Sequence, residues 1–356
     1  MSINIYDAAE LFDEELASFL VDARRKDIKS DWQKVEATVD YLPVVYTRAL
    51  IDYQTAYWTG HENAFLDMSV VLYFNHRPVG IWPLSLIALS NKIQIGSFGG
   101  VLCPPIFDRQ LPNKSANKLI LACQEFLRAL CLKWNLREWE SAESFPQHSW
   151  LSNWHLNAMK NGAVAKMRHD LFVDLSLDIS LIKQCFRESY KSLINSSKNH
   201  FDIHVFGNSN SCAVAGFRVW EDFRVLHLAS AGRVTRSEET WNLQYKSILS
   251  GDAFLAYAND KTGKLVGGAL FNISKSEGYY SVGAYDRDLF DKPIGHAIQF
   301  RAIEEMKKLA IRFYHIGDIH YPGENLERSE KQNKITHFKS GFATHIFPRF
   351  IIKQRV

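Results

Sequence analysis

Two stretches of this 356-residue chain run through the same order of elements, and that repetition limits the folds open to it. In the first, a helical pattern over residues 48–58 leads to a β-rich run at 68–74 and the turn Asn75-His76-Arg77-Pro78. An apolar run at 79–89, a strand at 92–98, an amphipathic helix at about 114–135 and a short strand at 137–141 follow. In the second, a helix over 235–250 starts with Thr235 and Glu238 in capping-box spacing. Strands at 254–258 and 265–273 flank an Asp/Gly turn at 259–263, as in a hairpin. A strand at 279–285, a helix at about 296–311 and a strand at 312–317 complete it. Local anchors agree: Pro78-Val79-Gly80 stands where Leu265-Val266-Gly267 does, and Leu136-Arg137 where Ile311-Arg312 does. The pattern predicts two α/β domains, each with antiparallel strands leading into one crossover through a helix.

Composition narrows the class. Hydrophobic residues make up 46% and charged residues 23%, which excludes global disorder. A net charge of +3 is too mild to argue for duplex DNA. The five cysteines are odd in number and show no CxxC pair, so free thiols in a reducing compartment are expected. Cys103, in an apolar Gly/Pro-rich segment, reads as buried rather than nucleophilic. The N-terminus carries five acids before residue 20 and no basic-then-apolar leader, and no apolar run is long enough to span a bilayer. A cytoplasmic location is expected. Walker A, G-x-S-x-G and HExxH patterns are absent.

Four segments carry candidate chemistry. Asp291-Lys292-Pro293-Ile294-Gly295-His296-Ala297 opens the second-half helix, whose Ile298, Ala302, Met306 and Leu309/Ala310 fall on one stripe. A helix N-terminus suits a phosphate or a polarised carbonyl oxygen, and an ordinary strand-to-helix turn reads the same way. Residues 181–199 read as one helix with Arg187, Lys191 and Lys198 along a cationic stripe for phosphates, or as a solvated face. After the last crossover strand come His315, Asp318, His320, Tyr321, Glu324 and Arg328. A His or carboxylate here can take a proton from an attacking amine, and Tyr321 can protonate a leaving group. The i, i+5 spacing of His315 and His320 is poor for one metal. Lys339, between Phe338 and Gly341, can stabilise an oxyanion or a phosphate, or stand as a surface lysine in a hairpin.

Lys292, Gly295 and Ala297 resemble, in degenerate form, the Q/R-x-x-G-x-G/A acyl-donor loop of the GNAT superfamily. The segment Ile335-Thr336-His337-Phe338-Lys339-Ser340-Gly341-Phe342 resembles the F-K-x-G-F segment of the Fem family, tandem GNAT proteins that move amino acids from aminoacyl-tRNA to cell-wall precursors. The chain shows no long charged heptad insertion, and is closer in size to the armless Fem-like proteins of surface-polysaccharide synthesis. The resemblance implies an α/β fold of two tandem GNAT-like domains with mixed, mostly antiparallel sheets flanked by helices. Residues 1–175 would form a degenerate acceptor-side domain and 176–356 the donor and catalytic domain. It implies acyl or aminoacyl transfer onto an amino group of a nucleotide- or lipid-linked sugar or peptide. Acyl-CoA or aminoacyl-tRNA would be the co-substrate, with no tightly bound cofactor. Lys339, Asp318, His320 and Tyr321 would be catalytic. Lys292, Gly295, His296 and Ala297 would hold the donor, and Arg187, Lys191, Lys198 and Phe338 the acceptor. Two alternatives stand beside this reading: an acyl-CoA-dependent N-acyltransferase of a small molecule, and a non-catalytic module that binds a glycan precursor.

Overall fold

The structure, a computed structural model, describes residues 4–59, 64–89, 92–98, 100–143, 151–207, 213–321, 324 and 329–356. The chain forms two compact units, 1–168 with 348–356, and 169–347. The sequence places one boundary, at 175/176. In the structure the chain crosses at 168/169 and crosses back at 347/348, each time inside a strand.

The first unit holds helices α1 (Ile5–Phe19), α2 (Lys29–Thr38) and α3 (Arg48–Thr59). Strands β1 (Phe65–Asp67), β2 (Val70–Phe74), β3 (Arg77–Trp82), β4 (Ser85–Leu89), β5 (Lys92–Gly96) and β6 (Ile106–Phe107) come next. Helix α4 (Asn113–Lys133), strand β7 (Glu138–Ala142) and helix α5 (Asn153–Lys160) complete the first pass. Pro83 has no N–H to give a ladder, so the apolar run at 79–89 becomes two strands in two sheets, β2-β3-β6 and β1-β4-β5. Asn75 and His76, both at positive φ (51° and 60°), make the tight turn between β2 and β3. The core is aromatic: Phe12 of α1 meets Phe126 of α4 edge-on at 4.9 Å, and Trp82 meets Trp154 at 5.9 Å. Burial pushes the Cys103 thiol up to about 11, which disfavours the thiolate form that a nucleophile needs.

The second unit begins within β8 (Val164–Asp174) and ends within β14 (His345–Arg355). Between them lie α6 (Ile179–Cys185), α7 (Glu188–Ser197), β9 (Asp202–Phe206), α8 (Ala213–Ala231) and α9 (Glu238–Ser250). Then come β10 (Ala253–Asn259), β11 (Leu265–Ile273), β12 (Glu277–Tyr285), α10 (Ile294–Lys308), β13 (Phe313–Ile319) and α11 (Glu330–Ser340). The strand order is β8-β13-β12-β11-β10-β9, antiparallel throughout except for the β12–β13 pair, which is parallel. The β10–β11 hairpin turns where the Asp260 carboxylate accepts the N–H groups of Thr262 and Lys264 (2.9 and 3.1 Å). Helix α10 packs Ile298, Ala302 and Met306 on one sheet face, while Trp220, Phe223 and Trp241 of α8 and α9 pack on residues of the other face. Among the described residues, no helix is long and apolar enough to cross a membrane.

Three local expectations are corrected. Ser237, not Thr235, caps α9, its hydroxyl accepting the Thr240 N–H at 3.3 Å. Leu309 and Ala310 lie past the end of α10 and outside its buried stripe, Leu309 being 45% exposed. The expected helix at 181–199 is two helices, because Phe186 and Arg187 are extended (ψ 148° and 136°).

Candidate active site

The site is organised by β12 and β13. They pair only at Glu277↔Phe313, Gly278↔Tyr314 and Tyr279↔His315. Beyond that point β12 runs on along β11 to Tyr285, while β13 follows β8 through Gly317↔Leu171, Asp318↔Asp170 and Ile319↔His169. The two strands therefore part, and their facing main-chain N–H and C=O groups make no ladder bonds to each other.

Register assigns the side chains of β13 to faces, since paired residues share one. Gly317 lies with Leu171 on the α10 face, where Leu171 joins the α10 core. On that face Lys339 of α11 stretches across Gly317, where a Cβ would stand 2.9 Å from its Cδ and 3.0 Å from its Nζ. Gly317 also has φ +153°, a conformation side chains rarely adopt. The Lys339 ammonium sits 4.9 Å from the centre of the Tyr280 ring, a cation–π contact at the opening between the strands. Lys339 is thus on a helix rather than in a hairpin. Burial raises the phenols of Tyr280, Tyr285 and Tyr314, and Tyr314 donates to Gln299 Oε1 at 2.6 Å.

On the other face His315 stacks on Phe172 (4.6 Å, 13°), with Tyr279 at 5.5 Å. Its Nε2 is 3.9 Å from a carboxylate oxygen of fully buried Asp170. Asp318 is the cross-strand neighbour of Asp170, and its Oδ2 lies 2.5 Å from His320 Nε2. His320 Nδ1 lies 3.1 Å from one oxygen of Glu324, whose other oxygen is 2.7 Å from His169 Nδ1. Tyr321 meets His169 edge-on at 4.9 Å. Arg328 lies outside the described residues. Lys339 and Asp318, grouped together in the sequence reading, lie on opposite faces of the sheet. Among the described residues, no three His, Cys, Asp or Glu side chains are placed to hold a metal ion.

The donor loop differs from its expected form. The helix begins at Ile294 with Pro293 as its cap, so Gly295, His296 and Ala297 form its first turn. The Phe338 ring covers this turn: a Cβ on Gly295 would be 3.3 Å from it. The His296 ring is enclosed by Tyr190 (4.4 Å), Phe338 (5.0 Å) and Phe342 (6.0 Å). Lys292 pairs with neighbouring Asp291 at 3.1 Å, and buried Ala297 returns its N–H to Pro293. These four residues do not converge on one ligand position.

The cationic stripe is also dispersed. The Arg187 guanidinium donates to His337 O (2.9 Å) and to the Tyr190 hydroxyl (3.0 Å), which in turn donates to Phe338 O (3.0 Å). The Arg187 N–H bonds Gly341 O at 2.9 Å. Arg187 and Tyr190 thus satisfy orphan carbonyls at the end of α11 and brace the helix that carries Lys339. Lys191 is exposed on α7, and Lys198, the C-cap of that helix, is exposed as well.

The sequence reading missed His169, Asp170 and Phe172 of β8, together with Tyr279 and Tyr280. Arg168-His169-Asp170 directly before the apolar run Leu171-Phe172-Val173 was the available signal, because a charged residue in a buried run needs a partner.

Burial holds His155 of the first unit and His227 and His296 of the second down at about 4, against the ordinary 6.5. The charges of Arg236 and Arg187 add to this at His227 and His296. As pH falls, the unfolded chain takes up these protons first, so stability is full above about 6.5 and declines toward 4. Thermal unfolding is expected to show a falling midpoint between pH 6.5 and 4, and His155→Gln should flatten part of that fall.

The fold that these features build is a Fem-like, mixed α/β fold. In particular, the chain is similar to FemX: TM-score 0.61, 10% identity, covering 90% of this chain and 95% of that one. It is similar as well to L-PGS from Bacillus licheniformis, with TM-score 0.56, 12% identity and 93% and 92% of the two chains covered. A conserved protein of unknown function from Bacteroides thetaiotaomicron gives TM-score 0.55 at 8% identity over 93% and 99%. No family model and no curated protein matches the sequence.

Proposed function

We propose that this chain is an aminoacyltransferase, moving an activated aminoacyl group onto an amino group of a nucleotide- or lipid-linked cell-envelope precursor. The observation that carries the reading is the parting of β12 and β13 with Lys339 across Gly317 at its opening. The donor ester lies in the opening, and the acceptor amine attacks its carbonyl carbon. A C–N bond forms and the carbonyl electron pair moves to oxygen, where the Lys339 ammonium faces the new charge. The amine's proton passes to a base, the tetrahedral centre collapses, and the ester oxygen leaves with a proton. The enzyme positions the reactants and forms no covalent intermediate.

An aminoacyl ester is favoured over a CoA thioester because Phe338 covers the first turn of α10, which would otherwise take a pyrophosphate. The test is thermal unfolding with charged tRNA, uncharged tRNA and acetyl-CoA, followed by transfer of a labelled amino acid to a nucleotide-linked amino-sugar peptide. Charged tRNA at a hundredfold excess over its Kd is expected to add about 2.7 kcal/mol of stability. A rise with acetyl-CoA alone would overturn the donor assignment and favour a small-molecule N-acyltransferase. Binding of the precursor without transfer from any donor would favour a non-catalytic module.

A further inference from the structure

We propose that the Tyr280 hydroxyl is the group that gives a proton to the departing ester oxygen. The inference rests on the transfer reaction above and names the donor of that proton. Position is the first argument. Tyr279↔His315 is the last β12–β13 pair, so Tyr280 is the first residue of β12 past the vertex where the strands part. Its partner on β11 is Phe271, a member of the α10 core, and half-buried Tyr280 packs against that same core. Tyr280 and Lys339 therefore stand on one face, Tyr280 on the β12 side of the opening and Lys339, across Gly317, on the β13 side.

The local fold is the second argument. The β11–β12 register shifts after Phe271↔Tyr280, where Ser281 is the extra residue, and resumes with Leu270↔Val282 and Ala269↔Gly283. Such a bulge re-aims the side chains that follow it. Ala269 lies in the α10 core, so Gly283 is the next residue of β12 on the face of Tyr280. The Tyr280 ring runs along the strand over this glycine, and a Cβ there would collide with its hydroxyl oxygen. The hydroxyl is thus carried from the vertex to the flank of the opening. Tyr321, given this role by the sequence reading, lies past the end of β13 with its ring on His169.

The step balances. The C–O bond of the tetrahedral centre breaks, its electron pair goes to the departing oxygen, and the Tyr280 O–H proton moves to that oxygen. The phenolate left behind faces the Lys339 ammonium, 4.9 Å from the ring centre, and recovers the proton that the amine gave up. Burial raises the Tyr280 phenol, and the Tyr285 hydroxyl beside it draws it back in part, so the group holds its proton when collapse begins. An alkoxide is a stronger base than a phenolate, so the proton moves downhill as the bond breaks. The titratable groups that face the ring are Lys339 from α11, Tyr285 on its own strand and Tyr314 from β13.

Two measurements on the full chain test this. In the transfer assay, Tyr280→Phe keeps the ring under the Lys339 ammonium and loses the hydroxyl. With charged tRNA its kcat is expected to fall by about 10²-fold or more, at similar KM and thermal midpoint. With the same amino acid supplied as its p-nitrophenyl ester, whose leaving group departs without a proton, the deficit is expected to shrink to about threefold or less. An equal deficit with both donors assigns the loss to packing and overturns the acid role. In the second measurement, protein labelled with 13C at tyrosine Cζ is titrated by NMR, with Tyr280 assigned from the signal lost in Tyr280→Phe. The phenol is expected to keep its proton up to about pH 10, and ionisation below about pH 9 overturns the acid role. Absence of transfer in the unaltered protein overturns the transfer reading and this role with it. Transfer that Tyr280→Phe leaves intact overturns this role alone.

Discussion

Lys339→Ala is expected to lower kcat for aminoacyl transfer by about 10²–10³-fold, the usual loss when one preorganised oxyanion partner is removed. KM for donor and acceptor should change little, because the ammonium meets its full charge partner only once the tetrahedral oxygen forms. Its seat explains why no neighbour can substitute. The side chain lies against the bare Cα of Gly317 and ends over Tyr280, so the ammonium is fixed at the opening rather than free on a flexible stem. A guanidinium is planar and larger, and Lys339→Arg should recover only a small part of the loss. Gly317→Ala tests the same seat from the other side. It adds a methyl 3.0 Å from the ammonium at φ +153°, and is expected to reduce both kcat and the thermal midpoint. Steady-state kinetics beside thermal unfolding separates these outcomes. Unchanged turnover in Lys339→Ala would remove this lysine from the reaction.

What could be read from the sequence was local, and what could not was set by register. The β10–β11 hairpin was legible because Asp260 and Gly263 dictate a turn between two apolar runs. Residues 265–273 read as a strand and form β11 with the same bounds. The site was legible only in pieces. Lys339 was singled out, yet its contacts depend on a glycine in another element and on a helix end braced by α7. Asp318, His320 and Lys339 are near in sequence, which says nothing of faces; pairing of Gly317 with Leu171 and Asp318 with Asp170 separates them. His169 and Asp170 lie about 150 residues from Glu324 and His315, the groups they approach, as the separation of 155 between His169 and Glu324 illustrates. Single-sequence spacing carries no trace of such a pairing. Arg187 misled for a related reason. Its spacing to Lys191 and Lys198 fits one helix, but the chain is extended at Phe186 and Arg187, and the guanidinium turns to the carbonyls of α11.

That brace gives the largest expected effect on stability. Tyr190 is 4% exposed, and its ring packs against His296, Phe338 and Phe342 while its hydroxyl holds the Phe338 carbonyl. Tyr190→Ala removes a large buried ring between α7, α10 and the end of α11, at an expected cost of about 3–5 kcal/mol. Tyr190→Phe keeps the ring and loses one hydrogen bond, about 1 kcal/mol. Lys191→Ala, next in sequence but exposed, should stay within about 0.5 kcal/mol. Denaturant midpoints of the three variants check this order. The same series separates bracing from ligand binding. If α7 serves as a phosphate-binding stripe, Lys191→Ala must weaken acceptor binding and Tyr190→Phe must not. If α7 serves as the brace, Tyr190→Phe and Arg187→Ala lower kcat through the displaced Lys339, and Lys191→Ala leaves both binding and turnover unchanged. The hydrogen bonds of Arg187 and Tyr190 to His337, Phe338 and Ser340 of α11 and to Gly341, its C-cap, favour the second outcome.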